Sequence, residues 1–347
     1  MIKAGMSSLR PSSHDSFSQE ELTCSAQPFA FDFHPHDQLL AAALVSGDVE
    51  LYSLDAQTSC FELDSLFQNH KLSCRSVKFF PNGQLILSGG SDKRCIISNI
   101  NGKPLWKKTT GSASVNSLAI IDDSIFASGD DDGCIKIWDF RCSSSHPAYD
   151  FPNFGDYITD ILVNTQKGNL VATSGNRLGF FDLRIKKNTI AMLSDPQEDD
   201  LLCLELVKNG KKLVCGSQLG SLDIFTWGRF KDLDDRILGH SRSVDSVVKI
   251  DENTVCTGAG DGRIRVVSIL PNKVSGILGM HSRRNEAVAY LGVNSNKSLL
   301  ASCGNDEKIK FFDIVQYTTK LRKASRRVES SMADGLATKR RNFFADL

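Results

Sequence analysis

The stretch FASGDDDGCIKIWDFR, residues 126–141, contains the pattern that decides the fold. A short apolar segment ends in the residues SGD, an Asp/Gly-rich turn follows, and CIKIWDF (134–140) then alternates between apolar and polar residues. Alternation with a period of two on both sides of an Asp/Gly turn is typical of antiparallel strands joined by a tight hairpin. The stretch therefore predicts two neighbouring strands of an antiparallel sheet.

This pattern recurs along the chain. When the ends of the strands that follow the hairpins are aligned, successive copies lie roughly 40–45 residues apart, which is the length of one four-stranded propeller blade. The seven copies are LYSL (51–54), ISNI (97–100), IWDF (137–140), FFDL (180–183), IFTW (224–227), VVSI (266–269) and FFDI (311–314). We therefore predict an all-β chain that forms a single seven-bladed β-propeller.

The repeats also predict the domain organisation: a flexible N-terminus (1–16), the propeller (17–315) and a basic tail (316–347). No segment after Ile314 suits the fourth strand of the last blade, whereas FSQEELTCSA (17–26) precedes the first unit and resembles a strand. We expect this N-terminal segment to complete the last blade, because closing the ring removes an exposed strand edge.

Composition narrows the classes of function. The 347 residues include 41 Lys+Arg and 41 Asp+Glu, and this balance argues against binding of nucleic acid through the overall field of the protein. The ten cysteines form neither a CxxC pair nor a Cys/His run, so we predict neither a metal centre nor a disulfide framework. No stretch of about 18 apolar residues occurs, and we expect no membrane partner.

Polar residues recur at fixed positions of the repeat. A histidine precedes the first strand, a hydroxyl residue lies in the second strand, an aspartate lies in the hairpin, and Trp138 stands near the end of a third strand. The recurring residues are His70, His240 and His281; Ser88, Ser128, Thr257 and Ser302; and Asp92, Asp132, Asp261 and Asp306. This pattern resembles the His–Asp–Ser/Thr–Trp hydrogen-bond network of WD-repeat proteins. The resemblance implies a structural role, in which the hairpin aspartate fixes the tautomer of each histidine; a role as ligand or base is the weaker alternative.

Two other segments could suggest binding loops. In Asp130-Asp131-Asp132 a strand begins at once, so the twelve-residue spacing of an EF-hand is absent. The segment GAGDG (258–262) satisfies neither of the common glycine-rich phosphate motifs. Both are interpreted as hairpins. Because HExxH, GxSxG and a plausible Cys/His nucleophile pair are also absent, we predict no catalytic site, no cofactor and no small-molecule substrate.

Two consecutive blades end their third strand with Asp-x-Arg, in WDFR (138–141) and FDLR (181–184). These segments are similar to the WD-x-R box of propellers that dock on damaged-DNA-binding protein 1, the adaptor of cullin-4 ubiquitin ligases. The resemblance implies docking through Trp138, Asp139, Arg141, Asp182 and Arg184, with an unidentified protein target bound on another surface. The alternative is that each pair caps its strand by local salt bridging.

The segments VCGSQLGSLDIFTWGRF (214–230), SILPNKVSGILGMH (268–281) and FFADL (343–347) resemble the WD repeat-containing protein 55 family of eukaryotes. That family is associated with nucleolar ribosome biogenesis, and its plant members are associated with cullin-4 ligase assembly. The resemblance leaves two functions open. The first expectation is a substrate receptor of a cullin-4 ligase, and the alternative is a nucleolar assembly factor that contacts a pre-ribosomal particle during rRNA processing.

The segment after Ile314 carries eight Lys/Arg and three acidic residues. Its clusters Arg326-Arg327 and Lys339-Arg340-Arg341 have the spacing of a two-part nuclear import signal, while a phosphate-binding arm and a solvated tail are the alternatives. We expect a nuclear and nucleolar protein with some cytoplasmic pool.

Overall fold

A computed structural model describes residues 20–54, 61–142, 144, 146–184, 189–282 and 286–315. All named elements in this part of the chain are β-strands, and they form seven four-stranded antiparallel sheets. This arrangement confirms the predicted all-β, seven-bladed propeller. The predicted flexible N-terminus and the candidate import clusters lie outside the described residues.

The strands of each blade run from the centre of the ring to its rim. Blade 1 contains β2 (Pro28–Phe33), β3 (Leu39–Leu44), β4 (Val49–Leu54) and β5 (Phe61–Phe67), and blade 2 contains β6 (Cys74–Phe79), β7 (Leu85–Gly90), β8 (Arg94–Asn99) and β9 (Pro104–Thr109). Blade 3 contains β10 (Val115–Ile120), β11 (Ile125–Asp130), β12 (Ile135–Asp139) and β13 (Tyr149–Phe151), and blade 4 contains β14 (Ile158–Asn164), β15 (Asn169–Ser174), β16 (Arg177–Asp182) and β17 (Met192–Leu193). Blade 5 contains β18 (Leu201–Val207), β19 (Lys212–Ser217), β20 (Leu222–Thr226) and β21 (Asp235–Ile237). Blade 6 contains β22 (Val244–Asp251), β23 (Thr254–Ala259), β24 (Arg263–Ser268) and β25 (Lys273–Met280), and blade 7 contains β26 (Val288–Val293), β27 (Leu299–Gly304) and β28 (Lys308–Asp313), with β1 (Glu20–Thr23) as its outer strand.

The ring closes through β1. This strand pairs antiparallel with β28, with Leu22 opposite Ile309, and Leu22 is buried. The Glu21 carboxylate forms ion pairs with Lys308 and Lys310 at 2.5 and 2.9 Å. The expected closure is therefore confirmed, but the strand ends at Thr23 rather than continuing to residue 26.

Apolar packing between neighbouring blades forms the core. The second strand of blade 4, β15, is buried at all six positions because blades cover both of its faces. Glycines allow this close approach. A Cβ atom at Gly129 would lie 2.5 Å from Ile158 Cγ2 of the next blade, and one at Gly258 would lie 2.6 Å from Val288 Cγ1. Larger side chains at these two positions would push the blades apart.

The antiparallel order of the strands gives the ring two faces. The hairpins between second and third strands, and the connections between blades, open on one face, which we call the hairpin face. The loops between first and second strands and between third and fourth strands open on the opposite face, which we call the loop face. No helix in the described part of the chain is long and apolar enough to cross a membrane.

Candidate functional site

Two of the recurring histidines hold their hairpins by hydrogen bonds. His70 contacts the Asp92 carboxylate at 2.8 Å through Nδ1 and the Ser88 hydroxyl at 2.9 Å through Nε2. His281 likewise contacts Ser302 at 2.8 Å and Asp306 at 2.9 Å. Burial lowers the pKa of both imidazoles, although the neighbouring aspartates oppose this effect. Each neutral ring therefore links a hairpin to the strand that enters its blade, which is a structural role.

The network of blade 6 departs from the expected pattern. His240 contacts the Thr257 hydroxyl at 2.8 Å, but Asp261 binds the guanidinium of Arg265 through two hydrogen bonds of 3.0 and 2.6 Å. Burial and the adjacent guanidinium lower the pKa of His240 to about 4. The expectation that each hairpin aspartate orients a histidine is therefore wrong here, because a bidentate charged pair is stronger than a bond to neutral imidazole.

Trp138 belongs to the interior of the propeller. Its side chain is 3% exposed, and its indole Nε1 donates to the Ser128 hydroxyl over 3.0 Å. Its ring also meets Trp106 edge-on, with centroids 5.8 Å apart. Asp132 accepts a hydrogen bond from Ser112 in the adjoining connection. These contacts brace blade 3 and leave Trp138 little surface for a partner.

In each of the two Asp-x-Arg segments, which lie on the loop face, the arginine forms a bidentate ion pair with the aspartate of the same segment. The Arg141 guanidinium donates to both oxygens of Asp139, at 3.0 and 2.7 Å, and Arg184 does the same to Asp182, at 2.9 and 2.6 Å. The arginine side chains remain 66% and 68% exposed. Hydrogen bonds from Arg184 hold the pKa of Asp182 at about 2. Each arginine thus compensates the charge of an aspartate in its own strand end.

Three carboxylates that were not predicted from the sequence line the centre of the ring. Asp32, Asp160 and Glu205 each accept a backbone N–H from the first strand of the next blade, at 2.8, 2.9 and 2.9 Å. Burial raises the pKa of Asp160 to about 6 and that of Glu205 to about 7. A signal was present, since each is a lone acidic residue in an apolar first strand: FAFDF, ITDIL and LCLEL.

The central channel itself has a volume of about 390 Å³ and is lined by the first strands of all seven blades. Lys78 Nζ donates to the Tyr290 hydroxyl across this channel over 2.6 Å. In the described part of the chain no group of three His, Cys, Asp or Glu side chains is arranged to hold a metal ion. The polar groups of the channel mainly connect one blade to another.

Comparison with known proteins extends across the whole ring. The sequence profile of the WDR55 family matches residues 19–317. The chain belongs to the WDR55 family. It is 36% identical to WD repeat-containing protein 55 of Rattus norvegicus over 305 residues, which cover 86% of this chain and 77% of the rat protein. It is 35% identical to the human protein of that name over 302 residues, with the same coverage, and 34% identical to the Arabidopsis thaliana protein over 298 residues, covering 85% and 82%.

Membership of the WDR55 family contradicts the first of the two functions expected from the sequence. Of the two functions that the resemblance implied, this membership favours the assembly-factor alternative. The expected cullin-4 substrate receptor is wrong, and with it the docking of damaged-DNA-binding protein 1 and a ubiquitination target. The physical reason is that strand capping accounts for both Asp-x-Arg segments, since Arg141 and Arg184 bind their own aspartates. WD-repeat propellers are generally non-enzymatic scaffolds, and the chain shares their architecture.

Proposed function

We propose that this chain is a non-catalytic scaffold in ribosome assembly, and that it contacts a pre-ribosomal particle in the nucleolus. The observation that carries this proposal is the WDR55 family match over residues 19–317, because it covers all seven blades and the ring-closing strand. The association of that family with nucleolar ribosome biogenesis supplies the process.

The surface of the ring is compatible with a scaffold. Leu219 and Leu238 are 76% and 73% exposed. They lie on neighbouring loops of the hairpin face, where Gly220 packs against the carbonyl of His240. Large apolar side chains that are this exposed, on adjacent loops of one face, favour contact with another macromolecule. The rigid blades hold such loops in a fixed arrangement, so that several partners can be bound at once.

Sedimentation tests this proposal. A tagged chain should co-sediment with precursor ribosomal subunits in a sucrose gradient, and its depletion should cause unprocessed precursor rRNA to accumulate. Leu219→Asp with Leu238→Asp should reduce co-sedimentation, whereas Leu63→Asp with Leu66→Asp, two exposed leucines of the blade 1 rim, serves as the matched control. The proposal fails if the wild-type chain remains at the top of the gradient and precursor rRNA is unchanged on depletion.

The proposed location is the nucleus, including the nucleolus, with some cytoplasmic pool. The clusters Arg326-Arg327 and Lys339-Arg340-Arg341 support it through their spacing. A fluorescent fusion in which these five residues are replaced by Ala should lose nuclear signal relative to the wild-type fusion. Equal nuclear signal from the two fusions would remove these clusters as the import signal.

A further inference from the structure

A polar groove lies on the loop face where the first-to-second-strand loops of blades 4, 5 and 6 meet. It encloses about 290 Å³. Its lining is rich in uncharged hydrogen-bonding side chains, and it includes Asn164, Thr165, Gln166, Asn209, Lys249 and Glu252. Amide and hydroxyl groups both donate and accept hydrogen bonds, so the groove can match a ligand with mixed donors and acceptors.

The groove has a basic rim. Lys167 Nζ lies 3.4 Å from the Gly210 carbonyl oxygen and 5.3 Å from the centroid of the Trp227 ring, and Lys208 Nζ lies 2.6 Å from Asn253 Oδ1. Lys211 is exposed on the same turn. Within the described residues, none of these three ammonium groups forms an ion pair with a carboxylate within 4.0 Å. None of the three is therefore neutralised by a direct ion pair, and each can still approach an anion.

The carboxylates near the groove either form an ion pair or are fewer than the lysines around it. Glu252 forms an ion pair with Lys249 at 2.5 Å and also accepts the backbone N–H of Asn209. Asp251 and Glu252 are the carboxylates whose charges act on Lys208. Glu205, which accepts the backbone N–H of Lys249, is a third acid nearby, so three acids stand against Lys249 and the three rim lysines, and the excess of positive charge is small.

Local backbone structure places these groups. Lys208, Asn209 and Gly210 have φ angles of 56°, 54° and 72°, so the chain makes a tight left-handed turn between β18 and β19. Asparagine and glycine accept this conformation readily. The turn brings Asn209 and Gly210 into the lining of the groove, and Lys208 and Lys211 flank these two residues in the chain.

We infer that this groove binds single-stranded RNA, with the lysines on phosphates and the uncharged side chains on base edges. Single-stranded RNA exposes base edges to neutral polar side chains while phosphates bind Lys. A net charge of zero for the whole chain does not oppose such binding, because the screening length at physiological salt is about 8 Å and the local rim dominates. The inference deepens the proposed function, on which the choice of RNA as the ligand rests.

Fluorescence anisotropy with the full chain and a fluorescein-labelled 12-nucleotide single-stranded RNA tests this inference. Lys167→Glu with Lys211→Glu should weaken binding by about tenfold or more in 0.1 M KCl. The slope of log K against log salt should become shallower by about 1.4, since each lost phosphate contact removes about 0.7. Lys103→Glu with Lys107→Glu changes the net charge equally at two exposed lysines of blade 2, and should alter binding less than about twofold.

A neutral variant separates base contacts from charge. Gln166→Ala with Asn209→Gly removes two amides and keeps a residue that tolerates positive φ, so it should weaken binding while the salt slope stays unchanged. Thermal melting confirms that each variant is folded.

Three results would overturn the inference: wild-type affinity of the Lys167/Lys211 variant, equal losses in the variant and its blade 2 control, or competition by a poly-glutamate peptide as effective as that by RNA. The first would place RNA binding in the basic tail, and the last would assign the groove to an acidic protein. Because co-sedimentation with precursor subunits is measured separately, failure of the groove and failure of the proposed function give different results.

Discussion

Replacing Trp138 by Ala removes the largest side chain of the core cluster between blades 2 and 3. The indole is 3% exposed and packs among Phe80, Leu87 and Phe126. Truncation of a buried aromatic side chain to Ala costs about 3–5 kcal/mol in the free energy of unfolding, because transfer energy is lost and a cavity remains. The entropy of unfolding is about 2.1 cal/mol/K per residue, so for a propeller of about 300 residues the melting temperature should fall by about 5–8 °C.

The hydrogen bond from Trp138 to Ser128 can be measured separately. Trp138→Phe keeps most of the apolar burial but removes the N–H donor, which should cost about 1–2 kcal/mol. A double-mutant cycle with Ser128→Ala should then give a coupling free energy of about 1 kcal/mol, since the two groups are in direct contact at 3.0 Å.

Differential scanning calorimetry is the assay, and Leu105→Ala is the control. Leu105 lies in β9 of the adjoining blade and is 57% exposed, so its truncation should change stability by no more than about 0.5 kcal/mol. A fall of less than about 2 °C for Trp138→Ala, or no difference between Trp138→Ala and Leu105→Ala, would refute the assignment of Trp138 as a core anchor.

Three further predictions concern closure, charge and capping. Deleting residues 1–26 should lower the melting temperature and produce larger oligomers in light scattering, because the edge of β28 becomes exposed, whereas deleting 320–347 should change neither. Glu21→Gln should lower the melting temperature at pH 7, because Lys308 and Lys310 hold the pKa of this carboxyl at about 2. Since that stabilisation is present above the ordinary pKa near 4.5 and is lost as the pH falls towards 2, the difference from wild type should disappear over this interval, and a constant difference would contradict the ion pair. Replacing Arg141 and Arg184 together by Ala should change the free energy of unfolding by no more than about 1 kcal/mol in urea titrations, because both guanidinium groups are exposed to solvent; a larger loss would show that these ion pairs stabilise the blades.

The candidate site was less accessible to sequence reasoning than the fold. The roles of His70, Asp92 and Ser88 could be predicted because the same residue types recur at the same position in several repeats, and such recurrence is visible in the sequence alone. The groove of Asn164, Gln166 and Asn209 could not, since its residues come from loops of different blades about 45 residues apart. The pairing of Asp261 with Arg265 instead of His240 was also hidden, because both partners were within reach and only their geometry decides between them.

The sequence by itself determined the number of blades, the hairpin in each blade and the use of an N-terminal segment to close the ring. These properties depend on local alternation, on Asp/Gly turns and on a count of strands, all of which are short-range features of the chain. Only the tertiary structure decided which charges are free. The sequence suggested that Arg141 and Arg184 bind a partner, yet each binds its own aspartate. The Lys167 ammonium instead lies at the groove, 3.4 Å from the Gly210 carbonyl oxygen, and forms no ion pair in the described part of the chain. The physical reason is that electrostatic interactions act over a few ångströms in space, and the closing of the ring sets those distances.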